Sequence, residues 1–125
     1  MANEIERRYG HQGLHGLSAH PGVIKTGILR SASKEDVDSI FGAEHMQPLF
    51  KSPAQGAATI VWAAIGSELE GRGGLYLADL HIPQPPPADE SGAGGARYCA
   101  AHAYDEPGAQ QLWEASLKMV GAQER

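Results

Sequence analysis

The stretch AHPGVIKTG, Ala19 to Gly27, joins a Pro-Gly pair to the end of an apolar run and places a threonine four residues after the glycine. The residues before the pair, within GLHGLSAHPG (Gly13–Gly22), form a short mixed run that predicts a strand. A Pro-Gly pair is a strong turn signal. We therefore expect a strand that ends in a tight turn and is followed by the Thr26 hydroxyl. Taken alone, this local pattern favours an ordinary turn over a binding site.

A second strand, and a helix between the two strands, define the fold class. GGLYLADLHI (Gly73–Ile82) predicts the strand, and SPAQGAATIVWAAIG predicts the helix. In that helix Ser52 suits the N-cap, Pro53 the first helical position and Gln55 the third residue of a capping box. Gly66 is the stop signal, and because apolar residues cover nearly the whole circumference, we expect the helix to be buried on most sides. Strand, helix and strand in this order predict a right-handed parallel βαβ unit.

Three further helices and one irregular segment complete the organisation. The helices are expected over residues 2–9, over Ser33–Phe41 with Ser33 as N-cap, and over DEPGAQQLWEASLKMVG with Asp105 as cap and Gly121 as stop. Residues 83–98 are rich in Pro and then in Gly, which predicts a flexible insert. Parallel sheets normally need several strands covered on both faces, so two strands predict the edge of a larger α/β sheet.

Composition argues against several classes of function. The net charge of −5 and the scattered basic residues disfavour a nucleic-acid-binding surface. The longest apolar run, Ala57–Ile65, is about half of the roughly 20 residues that a membrane-spanning helix needs. The charged N-terminus is unlike a signal peptide, and Cys99 is the only cysteine, so no internal disulfide forms. Together these features predict a soluble cytoplasmic protein without nucleic-acid partners.

The histidines and the cysteine offer two further kinds of site. His11, His15 and His20 are the densest of the six histidines, but their irregular spacing and the lack of a Cys or carboxylate cluster disfavour a zinc site. Cys99 has no His or basic helix end nearby in the sequence, which disfavours a catalytic thiol. We therefore expect neither a metal site nor a catalytic cysteine.

Five blocks of the sequence resemble, in the expected order, the part of short-chain dehydrogenase/reductases that follows their catalytic Tyr-x-x-x-Lys. The blocks are ANEIERRYG, GLHGLSAHPGVIKTG, KSPAQGAATIVWAA, GGLYLAD and AHAYDEPGAQQLWEASLKMVG. The resemblance is to the branch that includes retinol dehydrogenases and the WW-domain oxidoreductase. It extends over nearly the whole chain apart from the Pro/Gly-rich insert.

The resemblance implies a doubly wound Rossmann sheet of seven strands, which binds NAD or NADP and transfers a hydride between the cofactor and a small carbonyl or alcohol. On this mapping residues 1–125 form a single partial Rossmann-type domain that contains the last two strands and their flanking helices. Residues 1–9 end the helix that carries the catalytic Tyr and Lys, Gly13–Ser18 is the sixth strand and Gly74–Ile82 is the seventh. The segment Gly27–Lys51 would cover the substrate.

The resemblance also assigns residues to the cofactor. In the family the backbone around Val23 and Ile24 contacts the nicotinamide carboxamide, and the hydroxyl that matches Thr26 bonds the carboxamide or a phosphate. The cofactor-binding residues implied are Pro21, Gly22, Val23, Ile24 and Thr26.

The rest of the family's site has no counterpart in this sequence. No glycine-rich loop follows a strand and opens a helix, and no Tyr is followed four residues later by Lys. No catalytic residue is therefore assigned, and we expect the chain to be inactive alone and to pair with a missing N-terminal half. Two alternatives stay open: a non-catalytic interaction module that pairs with a full-length relative, and a chain that folds poorly by itself and has no function.

Overall fold

The structure is a computed structural model that describes residues 1–24, 26–27, 30–42, 44–87 and 98–123. All four helices predicted from the sequence are confirmed. The helices are α1 (Ala2–Tyr9), α2 (Lys34–Phe41), α3 (Pro53–Ile65) and α4 (Glu106–Val120), and the strands are β1 (Leu17–His20), β2 (Val23–Ile24), β3 (Phe50–Lys51) and β4 (Leu75–Ala78). Short 3₁₀ turns at Gly10–Gln12, Glu44–Leu49, Ser67–Leu69 and Ala101–Tyr104 connect several of these elements.

Strands β1 and β4 pair in parallel and form a two-stranded sheet that contacts α1 and α3. Their register joins Leu17 to Leu75 at one end and His20 to Ala78 at the other. Because α3 lies between the two strands in the chain, the predicted parallel βαβ unit is confirmed. The class is α/β, as expected of part of a Rossmann sheet.

Strand β1 begins later than the resemblance places it. The mapping puts a strand at Gly13–Ser18, whereas the observed strand runs from Leu17 to His20. The physical reason lies in the connection from α1, which continues through a 3₁₀ turn into Gly13 at φ 83°, a left-handed conformation. The chain has to complete this reversal before it can extend.

Helix α3 begins and ends as the sequence predicts. The Ser52 hydroxyl accepts a hydrogen bond from the Gln55 backbone N–H at 3.2 Å, and the Gln55 side chain accepts one from the Ser52 N–H at 2.8 Å. Pro53 occupies the first turn and Gly66 is the C-cap. This reciprocal capping box satisfies two N–H groups that would otherwise lack partners at the start of the helix.

The prediction that α3 is buried on most sides is wrong. Gly56 and Thr59 are its buried residues, and both lie where the helix meets the strands. Ile60 and Val61 are about half exposed, and Ile65 is 78 % exposed. Within the described part of the chain, α3 therefore buries its residues on one side only.

Helices α1 and α4 pack against each other through aromatic and charged side chains. The Tyr9 and Trp113 rings lie 5.9 Å apart between centroids, and the Arg8 guanidinium lies 5.2 Å from the Trp113 ring. Below them Glu4 is buried and accepts hydrogen bonds from Arg7 Nη2 at 2.5 Å and Arg8 Nε at 2.6 Å. The Arg7 hydrogen bond is the largest influence on Glu4; it outweighs the opposing effect of burial and lowers the pKa of that carboxyl to about 2.

The segment predicted as a flexible insert, residues 83–98, is described only at its ends, since 88–97 lie outside the described residues. Gln84 and Tyr98 form a parallel bridge, and the Cys99 N–H donates to the Gln84 carbonyl at 3.2 Å. Pro83 and Cys99 are buried. The ends of the segment are thus held together, and the flexibility of the rest stays a prediction.

Candidate functional site

The carboxyl ends of β1 and β4 lie side by side, because His20 and Ala78 are register partners. In open α/β sheets this edge is where ligands bind. The turn that contains the Pro-Gly pair leaves β1 here, and a second turn leaves β4. The candidate site is built from these two turns and from the start of α3.

Gly22 is the residue on which the first turn depends. Its φ of +86° is in the left-handed region, which glycine adopts without the steric cost that a side chain brings. Its N–H donates to His20 Nδ1 at 3.2 Å, so a neutral His20 ring carries its proton on Nε2. A Cβ added to Gly22 would lie 2.8 Å from Lys51 Cδ and 3.0 Å from Lys51 Nζ. The Lys51 side chain therefore occupies the space that a side chain at Gly22 would need.

Beyond Gly22 the chain forms β2, which pairs in parallel with β3. Val23 is opposite Phe50, and Ile24 is opposite Lys51. This short ladder was not predicted, because two-residue strands are too short to show any periodicity. It joins the chain just before the Gly27–Lys51 segment, which the resemblance assigns to substrate cover, to the end of that segment. The Phe41 and Phe50 rings within the segment lie 5.3 Å apart between centroids.

The second turn follows β4 and is also unpredicted, since the sequence predicted a strand as far as Ile82. Strand β4 ends at Ala78 because Asp79 and Leu80 adopt φ values of 51° and 59°. Ala78 and His81 exchange backbone hydrogen bonds of 3.1 and 3.0 Å, which makes a two-residue turn of the type I′ kind. The Asp-Leu pair gave no signal, because that turn type favours Asn-Gly or Asp-Gly.

Two contacts tie the second turn to its surroundings. The Leu80 N–H donates to the buried Thr59 hydroxyl of α3 at 3.3 Å. The Asp79 carboxylate forms an ion pair with Lys51 Nζ. Because Lys51 also lies over Gly22, the ion pair connects the turn after β4 with the turn after β1.

A cavity of about 270 Å³ opens at this point. Its walls carry an ammonium, a carboxylate, an amide and a hydroxyl beside two apolar side chains, and it is smaller than most sites for drug-sized ligands. Its lining residues are Lys51, Gln55, Ala58, Thr59, Asp79 and Leu80.

The cofactor residues expected from the sequence form the turn after β1 and strand β2 at Pro21–Ile24, and Thr26 follows two positions later in the sequence. Pro21, Gly22, Val23 and Ile24 are half-buried, and Thr26 is exposed. Ile24 packs on α3, where a side chain at Gly56 would overlap it. Sequence reasoning identified this turn but missed Lys51, Asp79 and Thr59, whose proximity depends on contacts between distant segments.

The other candidate sites receive no support from the geometry. Within the described residues no group of three or more His, Cys, Asp and Glu side chains could hold a metal ion. His15 pairs instead with Glu6 at 3.0 Å, and Cys99 is buried. Among the described residues, no helix has the length and apolar character needed to cross a membrane.

A larger cavity of about 470 Å³ lies apart from the predicted turn, between the first turn of α1, the sheet and α4. Ser18, Tyr76 and Leu112 are among its lining residues, and none of the expected cofactor residues is. Burial is the main cause that raises the pKa of the Tyr76 hydroxyl, so the phenol stays neutral at ordinary pH. This cavity is therefore not part of the candidate site.

Several curated proteins are similar to almost the whole of this chain. The short-chain dehydrogenase/reductase prx1 of Penicillium rubens is 47 % identical over 124 residues, which are 99 % of this chain and 36 % of the relative. The oxidoreductase calI of Penicillium decumbens is 41 % identical over 126 residues, 97 % of this chain and 36 % of the relative. The WW domain-containing oxidoreductase of Danio rerio is 34 % identical over 121 residues, 96 % of this chain and 25 % of the relative.

The chain therefore spans about a third of the length of the first two of these relatives. No family model matches the chain. No solved structure matches it either. The relationship to these proteins therefore rests on pairwise sequence similarity, which extends over both predicted strands and all four helices.

Proposed function

Because the chain belongs to the short-chain dehydrogenase/reductase family and corresponds to the C-terminal portion of its members, we propose that its Pro21–Thr26 turn is one wall of a nicotinamide-cofactor site. The cofactor is NAD or NADP. The reaction to which this wall contributes is reversible hydride transfer between the cofactor and a small carbonyl or alcohol.

The observation that carries the proposal is the position and conformation of Gly22. It follows the carboxyl end of a parallel strand, beside the end of the neighbouring strand, at a φ of +86°. A glycine at such a turn allows the main chain to approach a bound dinucleotide closely. The residues present therefore fit a cofactor wall made mainly of backbone.

Each residue of the turn has a part in this wall. Pro21 fixes the direction in which the chain leaves β1. Val23 and Ile24 use one edge for the ladder with β3, and their other edge pairs with no strand in the described part of the chain, which leaves backbone groups for the carboxamide. The exposed Thr26 hydroxyl is proposed to bond the carboxamide or a phosphate.

This chain contributes positioning and not proton transfer. The bound cofactor supplies the hydride, whereas the protein orients its nicotinamide ring and limits access of water. The Tyr-x-x-x-Lys pair that donates the proton in the family has no counterpart in the sequence. We therefore propose that the chain is inactive alone and acts with a segment that supplies the glycine-rich loop and the catalytic pair.

A titration of the ¹⁵N-labelled chain with NADH and NADPH tests the proposal. Amide signals of residues 22–24 and 26 should shift in a saturable manner, and signals from α4 should not. ADP-ribose, which lacks the nicotinamide ring but keeps both phosphates, is the matched control and should leave the signals of residues 22–24 in place. Equal shifts of residues 22–24 with ADP-ribose, or shifts spread over α4, would contradict a nicotinamide wall at this turn.

A second candidate function is a non-catalytic interaction module, favoured by the pairing of β1. Among the described residues β1 has one strand neighbour, β4, so its other edge is open to a further strand. Open strand edges readily pair with another chain. The partner proposed is a full-length relative or an N-terminal half of the same family.

Mixing the chain with the remaining N-terminal portion of the Penicillium rubens relative separates the two candidates. A complex that oxidises NADH in the presence of a carbonyl substrate would support the cofactor-wall function. A complex of the two chains without any NADH oxidation would support the interaction module. Failure to form a complex with either this portion or the full-length relative would contradict the interaction module.

A further inference from the structure

We propose that the Lys51–Asp79 ion pair holds the Gly22 turn in place, which makes Lys51 a positioning residue for the cofactor wall. The inference rests on the proposed function for its consequence, but its structural part can be tested separately. Neither residue belongs to the turn itself, and Lys51 acts through Gly22. Three geometric observations support this role.

The first observation is the path of the Lys51 side chain. A Cβ on Gly22 would lie 2.8 Å from Lys51 Cδ and 3.0 Å from both Cε and Nζ, so the outer half of the lysine fills the space beside the Gly22 Cα. Lys51 is also the register partner of Ile24 in the β2–β3 ladder. Its backbone therefore fixes one end of the turn while its side chain covers the other end.

The second observation is the anchoring of Asp79. It belongs to the two-residue turn after β4, in which both central residues have positive φ. Backbone in this conformation persists only where neighbouring contacts enforce it. The Leu80 N–H bond to the buried Thr59 hydroxyl is one such contact, and it ties the turn to α3. The Asp79 carboxylate is thereby presented to Lys51 from a fixed support.

The third observation is the exposure of the pair. The side chains of Lys51 and Asp79 are 25 % and 41 % exposed. Ion pairs that are open to water to this extent contribute little to folding stability. The ion pair therefore adds little to the folding stability of the chain. Its role is better explained by the position in which it holds Gly22.

The arrangement also couples two regions of the proposed site. Lys51 ends the segment that is proposed to cover the substrate, and its side chain lies on the proposed cofactor wall.

The test compares K51M, K51A and D79N with the wild-type chain. K51M keeps an unbranched side chain over Gly22 and removes the charge, K51A removes both, and D79N removes the acidic partner. K118M, which removes a lysine charge on the exposed face of α4, is the matched control. The readouts are the amide shifts and heteronuclear NOE values of residues 22–24 and the Kd for NADH.

All three test variants should move the Gly22 amide signal and lower the NOE values of residues 22–24, and K118M should do neither. K51M and D79N should raise the Kd for NADH by about tenfold, the effect of a wall displaced by a fraction of an ångström. Unchanged Gly22 signals in K51M and D79N would overturn the inference. A displaced Gly22 with an unchanged Kd would also overturn the positioning role.

The failure of the proposed function gives a different result. If residues 22–24 and 26 show no NADH-dependent shifts in the wild-type chain, either alone or mixed with the N-terminal portion of the Penicillium rubens relative, the cofactor wall is refuted in this chain. The Gly22 signals of K51M and D79N still decide whether the ion pair holds the turn. If K51A does not fold, the same comparison with the wild type is made with K51M and D79N.

Discussion

Gly56 of α3 lies against Ile24 of β2 so closely that a Cβ on residue 56 would overlap the Ile24 side chain. The same Cβ would lie 3.4 Å from the Pro21 carbonyl oxygen. A glycine in a helix interior normally lowers helix stability. Here Gly56 allows α3 to approach the turn after β1 closely, and this contact compensates for the lower helix propensity of glycine.

The contact predicts that G56A destabilises the chain even though alanine is the better helix former. Overpacking against Ile24 should exceed the propensity gain and lower the free energy of unfolding by about 1–2 kcal/mol. G108A in α4 is the matched control, because its Cβ would meet only the movable end of the Asp105 side chain. Urea unfolding should show G108A as neutral or stabilising. A G56A chain as stable as G108A would contradict the packing of α3 on β2.

Leu80 has a backbone conformation that suits glycine. We therefore expect L80G to stabilise the chain, the opposite of the effect predicted for G56A. Leu80 is at φ 59° in a two-residue turn and is 54 % exposed, so little packing is lost with its side chain. Relief of the left-handed strain should raise the free energy of unfolding by about 1 kcal/mol.

L14G is the control for this variant, because Leu14 is 56 % exposed and does not have a positive φ. There the added freedom of the unfolded chain should lower stability by about 0.5–1 kcal/mol. Opposite shifts in the urea midpoints of L80G and L14G are the expected result. A loss of stability in L80G would mean that the Leu80 side chain contributes more than its exposure indicates.

Acid should weaken the α1–α4 contact through Glu4. Its pKa of about 2 in the folded chain lies below the ordinary value of 4.5, mainly because of the Arg7 hydrogen bond. A carboxyl with a lowered folded pKa adds stability above pH 4.5, and this contribution is lost as the pH falls from 4.5 towards 2. Urea midpoints of the wild-type chain should therefore decrease over this interval.

E4Q isolates that contribution. At pH 7 it should lower the free energy of unfolding by about 2 kcal/mol, since two arginines lose a buried partner but Arg7 is partly open to water. The stability of E4Q should depend less on pH between 4.5 and 2 than that of the wild type. E70Q, at an exposed turn position, is the control and should change stability by less than about 0.5 kcal/mol. Parallel acid profiles for wild type and E4Q would refute the role of Glu4.

The parts of the fold that the sequence predicted well are those decided by local chemistry. Ser33 accepts from the Asp36 N–H at 3.1 Å, and Gly121 ends α4 at φ 65°, both as expected. Such caps depend on residues within one turn of helix, so they can be read from neighbouring letters. The parallel pairing of β1 with β4 followed from the order strand, helix, strand, because a long crossover that contains a helix normally connects parallel neighbours.

The parts that were missed depend on contacts between distant segments. The β2–β3 ladder and the turn at Asp79 have no periodicity or glycine to mark them. Lys51 meets Asp79 across 28 positions, so neither residue attracts attention in the sequence. The burial of α3 was overestimated, because apolar composition shows that a helix can be covered but not what covers it. The candidate turn was found from its Pro-Gly pair, and its supports were not.

Gly22 and Gly13 have nearly the same left-handed backbone, with φ values of 86° and 83°, but different surroundings. Alanine at either position should cost about 1 kcal/mol of folding free energy through backbone strain alone. At Gly13 nothing lies within 4 Å of the new Cβ, whereas at Gly22 the Cβ would meet the Lys51 side chain.

Only G22A should therefore displace Lys51, break its contact with Asp79 and abolish the NADH-dependent shifts of residues 22–24 and 26. Lower stability in both variants, with NADH shifts retained in G13A alone, is the expected outcome of melting curves and titrations. NADH shifts that survive in G22A would show that the cofactor does not need the backbone of this turn.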